Sequence, residues 1–377
     1  MTVWWVFSFD QVHPQARLSL NLMRTLRIPD DDTTHLLPPG LGRFPLRHVD
    51  DFATSVPDQW VTHGGVMFPM YQSEAMWLSF DSNYLQSRGT SYPFAIKISS
   101  GKINAITGDT WTDRLNGDPQ DYMVSPTQPW LDGFCVEKDV IRQFVAMPLG
   151  SGYTAEEQIS GAAEHGGLQI LVHPMKRAVF ERRFPQRQQD WIGHSVSPAV
   201  MCFAEDEPME IGLAPGGRMR QEIYEDPFDI NDWDTTQASR CFVHIANSLV
   251  WRSITGDDPP TTPPTSREYT EAGFPWFDYY SDGETRLEGS RTLRKLKSVA
   301  TLGQEKADIP LPENDSIDVE HVVGHLRHRR VGLVDGMHDV VAQESLDQIL
   351  HLVRSHHLFK LLIPSLIIAH SSSLLIA

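Results

Sequence analysis

Apolar and polar residues alternate most regularly between about Val66 and Val172. From Phe94 to Ile106 the apolar positions Phe94, Ile96, Ile98, Ile103 and Ala105 bracket Ser99-Ser100-Gly101-Lys102, which predicts a β-hairpin. A second hairpin is expected where Glu137-Lys138-Asp139 separates Phe134–Val136 from Val140–Met147. Val66–Phe80 is dominated by apolar residues, and Leu168–Val172 and Met209–Leu213 read as further strands. Helical spacing comes later: Phe242, Ile245, Ala246, Leu249 and Val250 fall at i, i+3, i+4, i+7 and i+8, with Gly256 as a stop. Thr265-Ser266-Arg267-Glu268 has the form of a capping box after a proline-rich spacer, and Glu284–Val299 is expected to be a third helix. Early strands and late helices predict an α+β fold, with a β-rich N-terminal half of antiparallel hairpins packed against later helices.

Composition narrows the class. With 377 residues, 40% hydrophobic and 10% aromatic, the chain can bury a large core. Its formal charge of −17 repels nucleic acid and anionic membranes on average, so neither is an expected partner. Cys135, Cys202 and Cys241 are far apart and form no Cys-x-x-Cys pair, which suits a reducing, cytoplasmic setting. No signal peptide is read at the N-terminus, whose apolar run from Val3 to Phe7 meets Asp10 and suggests a docking strand or arm.

The expected organisation is an N-terminal arm and irregular connection over 1–44, one α+β globular domain over 45–320, and an atypical tail over 321–377. Eight of the sixteen histidines lie in that tail, and it carries five basic against four acidic residues, whereas the body carries 27 against 45. This break suggests an appended segment. Its apolar end, 358–377, is interrupted by Pro364 and His370 and is too short for a membrane span. His321, His325 and His328 would share one face of a helix, but Arg327, Arg329 and Arg330 oppose a cation there, and no metal site is expected.

Several motifs touch on chemistry. His63-Gly64-Gly65 and His165-Gly166-Gly167 have the look of esterase oxyanion holes, yet no Gly-x-Ser-x-Gly nucleophile elbow accompanies them, so a structural role in turns is the better reading. Gly150-Ser151-Gly152-Tyr153 could cradle an anion at a helix start but matches no nucleotide loop. No cofactor is expected. The most suggestive pattern couples tryptophan, proline and carboxylate in Pro129-Trp130-Leu131-Asp132 and Pro275-Trp276-Phe277-Asp278. An indole beside a carboxylate can grip a sugar or a cation, although the same residues serve equally well as core anchors with acids capping turns. Trp130, Tyr153, Trp276 and Asp278 are therefore the candidate ligand-binding residues. Asp121, Asp132, Glu164 and His165 are the candidate catalytic ones, with His173 a further proton-transfer candidate.

The segments Pro119–Tyr122, Gln128–Gly133 and Met147–Thr154 resemble an uncharacterised protein family of bacteria and filamentous fungi. The likeness runs from about Arg24 to Ser316 and excludes the histidine-rich ending. It brings no activity to carry over residue by residue, and its distribution suits accessory or secondary metabolism. The sequence thus reads as a soluble protein binding a small polar molecule, a sugar or metabolic intermediate, at an aromatic and acidic cleft. The alternatives are an enzyme using carboxylate and histidine acid–base chemistry, and a structural or partner-binding protein.

Overall fold

The computed structural model describes residues 5–31, 33–186, 210–281, 284–309, 311, 314–319 and 321–327. In chain order the first strands are β1 (Trp5–Ser8), β2 (Arg17–Thr25), β3 (Thr34–His35), β4 (Gly40–Arg43) and β5 (Arg47–His48). Helix α1 (Asp58–His63) leads into β6 (Val66–Met70) and β7 (Ala75–Ser82), then β8 (Tyr84–Leu85) and β9 (Thr90–Ser91). The hairpin strands β10 (Phe94–Ser100) and β11 (Ile103–Asn104) precede β12 (Met123–Ser125), β13 (Trp130–Leu131), β14 (Gly133–Glu137) and β15 (Val140–Pro148). The remainder is α2 (Ala155–Ser160), β16 (Leu168–Pro174), α3 (Arg177–Arg183), β17 (Glu210–Arg220), β18 (Ser239–Asn247), α4 (Ser248–Thr255), α5 (Ser266–Glu271), β19 (Trp276–Ser281), α6 (Val299–Lys306) and β20 (Val322–Arg327).

Among the described residues strand accounts for 37% and helix for 18%, so the class is β-rich α+β with a few short helices. The main sheet runs β1-β2-β7-β15-β17-β18-β16-β10-β11, with the shorter strands attached along it. All its pairings are antiparallel except β3 on β17 and β6 on β18. Residues 17–25, inside the expected arm, form an inner strand held between β1 and β7.

Both hairpins expected from the alternation are present, as β10–β11 and β14–β15. The register Ile96↔Val172, Ile98↔Ile170 and Cys241↔Ile170 puts the apolar positions of β10, β16 and β18 on one face, packed into the main core. The opposite face of β10 and β16 carries Lys97, Ser99, Gln169 and His173, all buried.

Two expected helices form only in part, the first of them ending at Gly256 as expected. Phe242–Asn247 continues as β18, and helix begins only at Ser248, capped by the Asn247 side chain. Cys241, Val243 and Ile245 alternate into the core while Phe242 and His244 face the other way. A strand buried on both faces reads as a continuous apolar run that mimics helical spacing. Over Glu284–Val299, only a 3-10 turn at Leu293–Lys295 and the first residue of α6 are helical. Gly289 has φ of 76°, outside helical backbone, and lies so close to β14 that a Cβ there would stand 2.5 Å from the Glu137 backbone. Residues 322–327 are strand, which removes the shared helical face proposed for His321 and His325. His328 and the rest of the tail lie outside the described residues.

A recurring device replaces ladder pairing with glutamine amides. Gln128 donates to the Trp130 and Glu222 carbonyls and accepts from the Tyr224 N–H. Gln120 donates to Tyr122 O and Tyr224 O and accepts from Asp226 N. Gln221 accepts from Asp132 N while donating to Trp130 O, and Gln143 clasps Leu26 O and Ile28 N. Each amide offers both a donor and an acceptor, so it satisfies buried backbone that no neighbouring strand reaches. Residues 221–226 are fastened to 120–132 in this way.

Candidate functional site

Strands β6 and β7 are joined by the turn Tyr71–Glu74. Ser73 sits there with φ of 69°. This left-handed conformation is uncommon for a residue with a Cβ and marks local strain. Its Oγ is buried without a hydrogen-bond partner. The next residue, Glu74, accepts from the Arg24 Nε at 2.7 Å and from the Tyr71 N–H at 2.9 Å. Arg24 on β2 also donates to the Thr261 carbonyl, and Tyr71 Oη to that of Pro260, so the proline-rich segment is drawn over the turn. Burial pushes the Glu74 carboxyl up and the Arg24 guanidinium opposes that shift. Between the turn and Thr262–Thr265 lies a cavity of about 60 Å³, with Arg27 in its wall. Sequence reasoning missed this site: a four-residue turn and a proline spacer carry no signature, and Arg24 and Thr261 are 237 positions apart.

Three of the expected ligand-contacting and catalytic residues meet elsewhere. Trp130 packs edge-on against Tyr279 at 4.6 Å between ring centroids, and Asp278, one residue before Tyr279, pairs with Arg220 at 2.9 Å. Asp132 lies two residues from Trp130. Burial pushes its carboxyl up to about 7, with the Trp130 indole pulling the other way, and Oδ2 is buried without a partner. Alongside, the Glu222 carboxylate receives the Tyr224 hydroxyl at 2.9 Å and pairs with Arg286 at 3.2 Å. Trp276 is fully buried, and its indole donates to Thr270, so it anchors the core.

Asp121 belongs to a second network. Its carboxylate pairs with the buried Lys97 ammonium at 2.6 Å, and the same ammonium donates to Thr112 Oγ1 and to the Arg114 carbonyl. His173 lies on the same sheet face. Its Nδ1 is 3.0 Å from the Asp234 carbonyl, which can only accept, so Nδ1 carries the proton and Nε2 is a bare acceptor, buried without a partner. Burial lowers the His173 pKa, and nearby Lys97 adds to this against the raising influence of Asp234.

Glu164 and His165 form a third group. Their backbone N–H groups, with that of Gly166, all donate to the Glu156 carboxylate at 2.9–3.0 Å. The loop is an anion-binding nest, and its occupant is a side chain of the same protein. The Glu164 carboxylate is itself exposed, 3.8 Å from the His165 ring. The neighbouring Glu157 likewise fills the Gly152 loop, accepting from Gly152 N and Thr154 N within a capping box. Tyr153 donates to Asp308 and lies under the Lys306 ammonium, which fastens α6 to this corner. The four expected catalytic residues are thus divided among three separate networks.

Both His-Gly-Gly triplets end against β18. A Cβ on Gly65 would stand 2.2 Å from the Phe242 carbonyl oxygen, and one on Gly167 would stand 2.2 Å from that of Val243. Among the described residues, no group of three or more histidine, cysteine or acidic side chains is placed to hold a metal ion. Nor is any described helix long and apolar enough to cross a membrane. No protein-family model, curated protein or solved structure matches this chain.

Proposed function

We propose that this protein binds a small polar molecule in the cavity between the Tyr71–Ala75 turn and Thr262–Thr265. The observation that carries the reading is Ser73, a strained, buried turn residue in the cavity wall whose hydroxyl has no partner in the protein. Buried hydroxyls are normally hydrogen-bonded, and strained backbone gathers at ligand sites. This differs from the cleft expected around Trp130 and Asp278, where Trp130 packs against Tyr279 and Asp278 is paired with Arg220. Native mass spectrometry of the full chain tests the proposal. A small adduct lost on denaturation is expected, and it should be missing from Ser73→Asn, whose longer side chain tolerates positive φ and fills the cavity. An adduct retained by Ser73→Asn would place the ligand elsewhere.

A second reading, an enzyme working by acid–base chemistry, is favoured by Asp132. A carboxyl that titrates near neutrality can take and return a proton at physiological pH. Loss of turnover in Asp132→Asn, with the ligand still bound, would move the assignment to this reading.

A further inference from the structure

We propose that Thr262 is a phosphorylation site, the acceptor for a proline-directed protein kinase. This goes beyond the ligand reading and does not depend on it. Six of the eight residues from Asp258 to Thr265 are proline or directly precede one. Proline fixes its own φ and disfavours helical backbone in the residue before it, so most of the segment is confined to extended backbone. From Asp258 to Thr265 the chain accordingly carries no helix, strand, turn or bend. This strap is fastened from beneath just before the acceptor: Tyr71 Oη donates to the Pro260 carbonyl at 3.0 Å and Arg24 Nη2 to that of Thr261 at 2.7 Å. Upstream, Asp257 pairs with Arg47 and Asp258 with Arg252. Downstream, Pro264 is buried and Thr265 caps α5. The Thr262 side chain is left exposed, and its hydroxyl has no partner among the described residues.

Phosphoryl transfer needs a hydroxyl that can be set in line with the γ-phosphorus of ATP, on a chain lying extended across the kinase cleft. A stiff, extended strap already has that shape, so little conformational entropy is lost on docking. Thr262 is followed by Pro263, the residue this kinase class reads, whereas Thr261 is followed by Thr262. Two other hydroxyl residues precede proline. Ser125 is fully buried, and Ser197 lies outside the described residues. In the transfer, Thr262 Oγ1 bonds to the γ-phosphorus as the bond from that phosphorus to the β–γ bridging oxygen breaks. ADP leaves, and the hydroxyl proton passes to the catalytic aspartate of the kinase. The product adds a charge of about −1.5 to −2 at pH 7. Thr262 also lines the cavity beside Ser73, so the new charge stands in the wall of that cleft.

The full, folded chain is incubated with an active mitogen-activated protein kinase and magnesium ATP, and phosphate is located by fragmenting the tryptic peptide Ser253–Arg267. A phosphate on Thr262 is expected. It should be absent from Thr262→Val and lost in Pro263→Ala, which keeps the hydroxyl but removes the residue the enzyme reads. Ser125 serves as an internal check on folding, because its buried hydroxyl becomes an acceptor only in the unfolded chain. No phosphate on Thr262 of the folded chain would overturn the site. Phosphate that reaches Thr262 only after heating, together with Ser125, would overturn it equally, since the strap would then be closed to the enzyme in the native protein. Undiminished transfer to Thr262 in Pro263→Ala would remove the proline-directed class. None of these outcomes touches the native adduct, which tests the cavity separately.

Discussion

Glu156 holds His165 by its backbone: the carboxylate accepts the His165 N–H at 2.9 Å, flanked by those of Glu164 and Gly166. An Asp or Glu that caps three successive amides is a charged acceptor facing only donors. Glu156→Gln turns one of its oxygens into an N–H₂ group aimed at those donors. We expect a loss of roughly 2–3 kcal/mol in urea unfolding, with faster hydrogen exchange at the amides of 164–166.

The glycines of the two triplets provide a contrast within one protein. Gly65→Ala and Gly167→Ala would force a Cβ against a β18 carbonyl at a positive φ. Each is expected to cost at least about 3 kcal/mol. Gly161→Ala also has positive φ but meets nothing within 4 Å, so it should cost about 1 kcal/mol. Equal losses at the three positions, measured by denaturant midpoints, would remove close approach as the reason for the Gly-Gly pairs.

Asp132 makes stability depend on pH. Its native carboxyl titrates at about 7, above the ordinary 3.8, so between these values the unfolded chain has released a proton that the native protein keeps. Raising the pH therefore favours unfolding across the window from about 4 to 7, with no further change from this group above it. Asp132→Asn removes the group. Relative to the wild type, the variant should gain with rising pH, by up to about 4 kcal/mol at the top of the window. A wild-type minus variant difference that stays flat from pH 4 to 7.5 would contradict the buried, protonated carboxyl.

Lys97→Met leaves Asp121 buried beside no cation. It should cost roughly 3–5 kcal/mol, and adding Asp121→Asn should recover part of that loss. A double-mutant cycle reads the coupling, and strict additivity would mean that the 2.6 Å pair contributes nothing.

His173 and His244 should show opposite neutral tautomers. Nδ1 of His173 is bound to the Asp234 carbonyl, whereas Nε2 of His244 is bound to that of Gly64 at 3.1 Å. Burial holds the His244 pKa down at about 4, so it stays neutral near pH 7. Long-range proton–nitrogen spectra distinguish the two ring forms, and a shared tautomer would refute one of these hydrogen bonds.

Local signals carried much of this fold. The β14–β15 hairpin follows from alternation around Glu137-Lys138-Asp139, and the Thr265–Glu268 capping box forms as its spacing implies. Where strand passes directly into helix at Asn247–Ser248, periodicity blurred the two. The site was less legible. Nothing in the sequence set the distances among Trp130, Asp132 and Asp278, and Glu74, Arg24 and Ser73 come together only through the pairing of β2 with β7, since no local pattern encodes a pairing between strands fifty residues apart. The Gly152 loop reads as able to cradle an anion and Gly166 as a turn glycine, and neither reading foresees the occupant, because Glu156 and Glu157 read as ordinary first-turn acids of a helix.

Lys97 gathers a hydroxyl, a carbonyl and a carboxylate from a single loop, the set of oxygens that a bound cation would organise. Here the cation is tethered to β10 by its own side chain. The 112–121 loop is therefore anchored to the sheet through one β10 side chain, so its order is tied to the strand that carries Lys97.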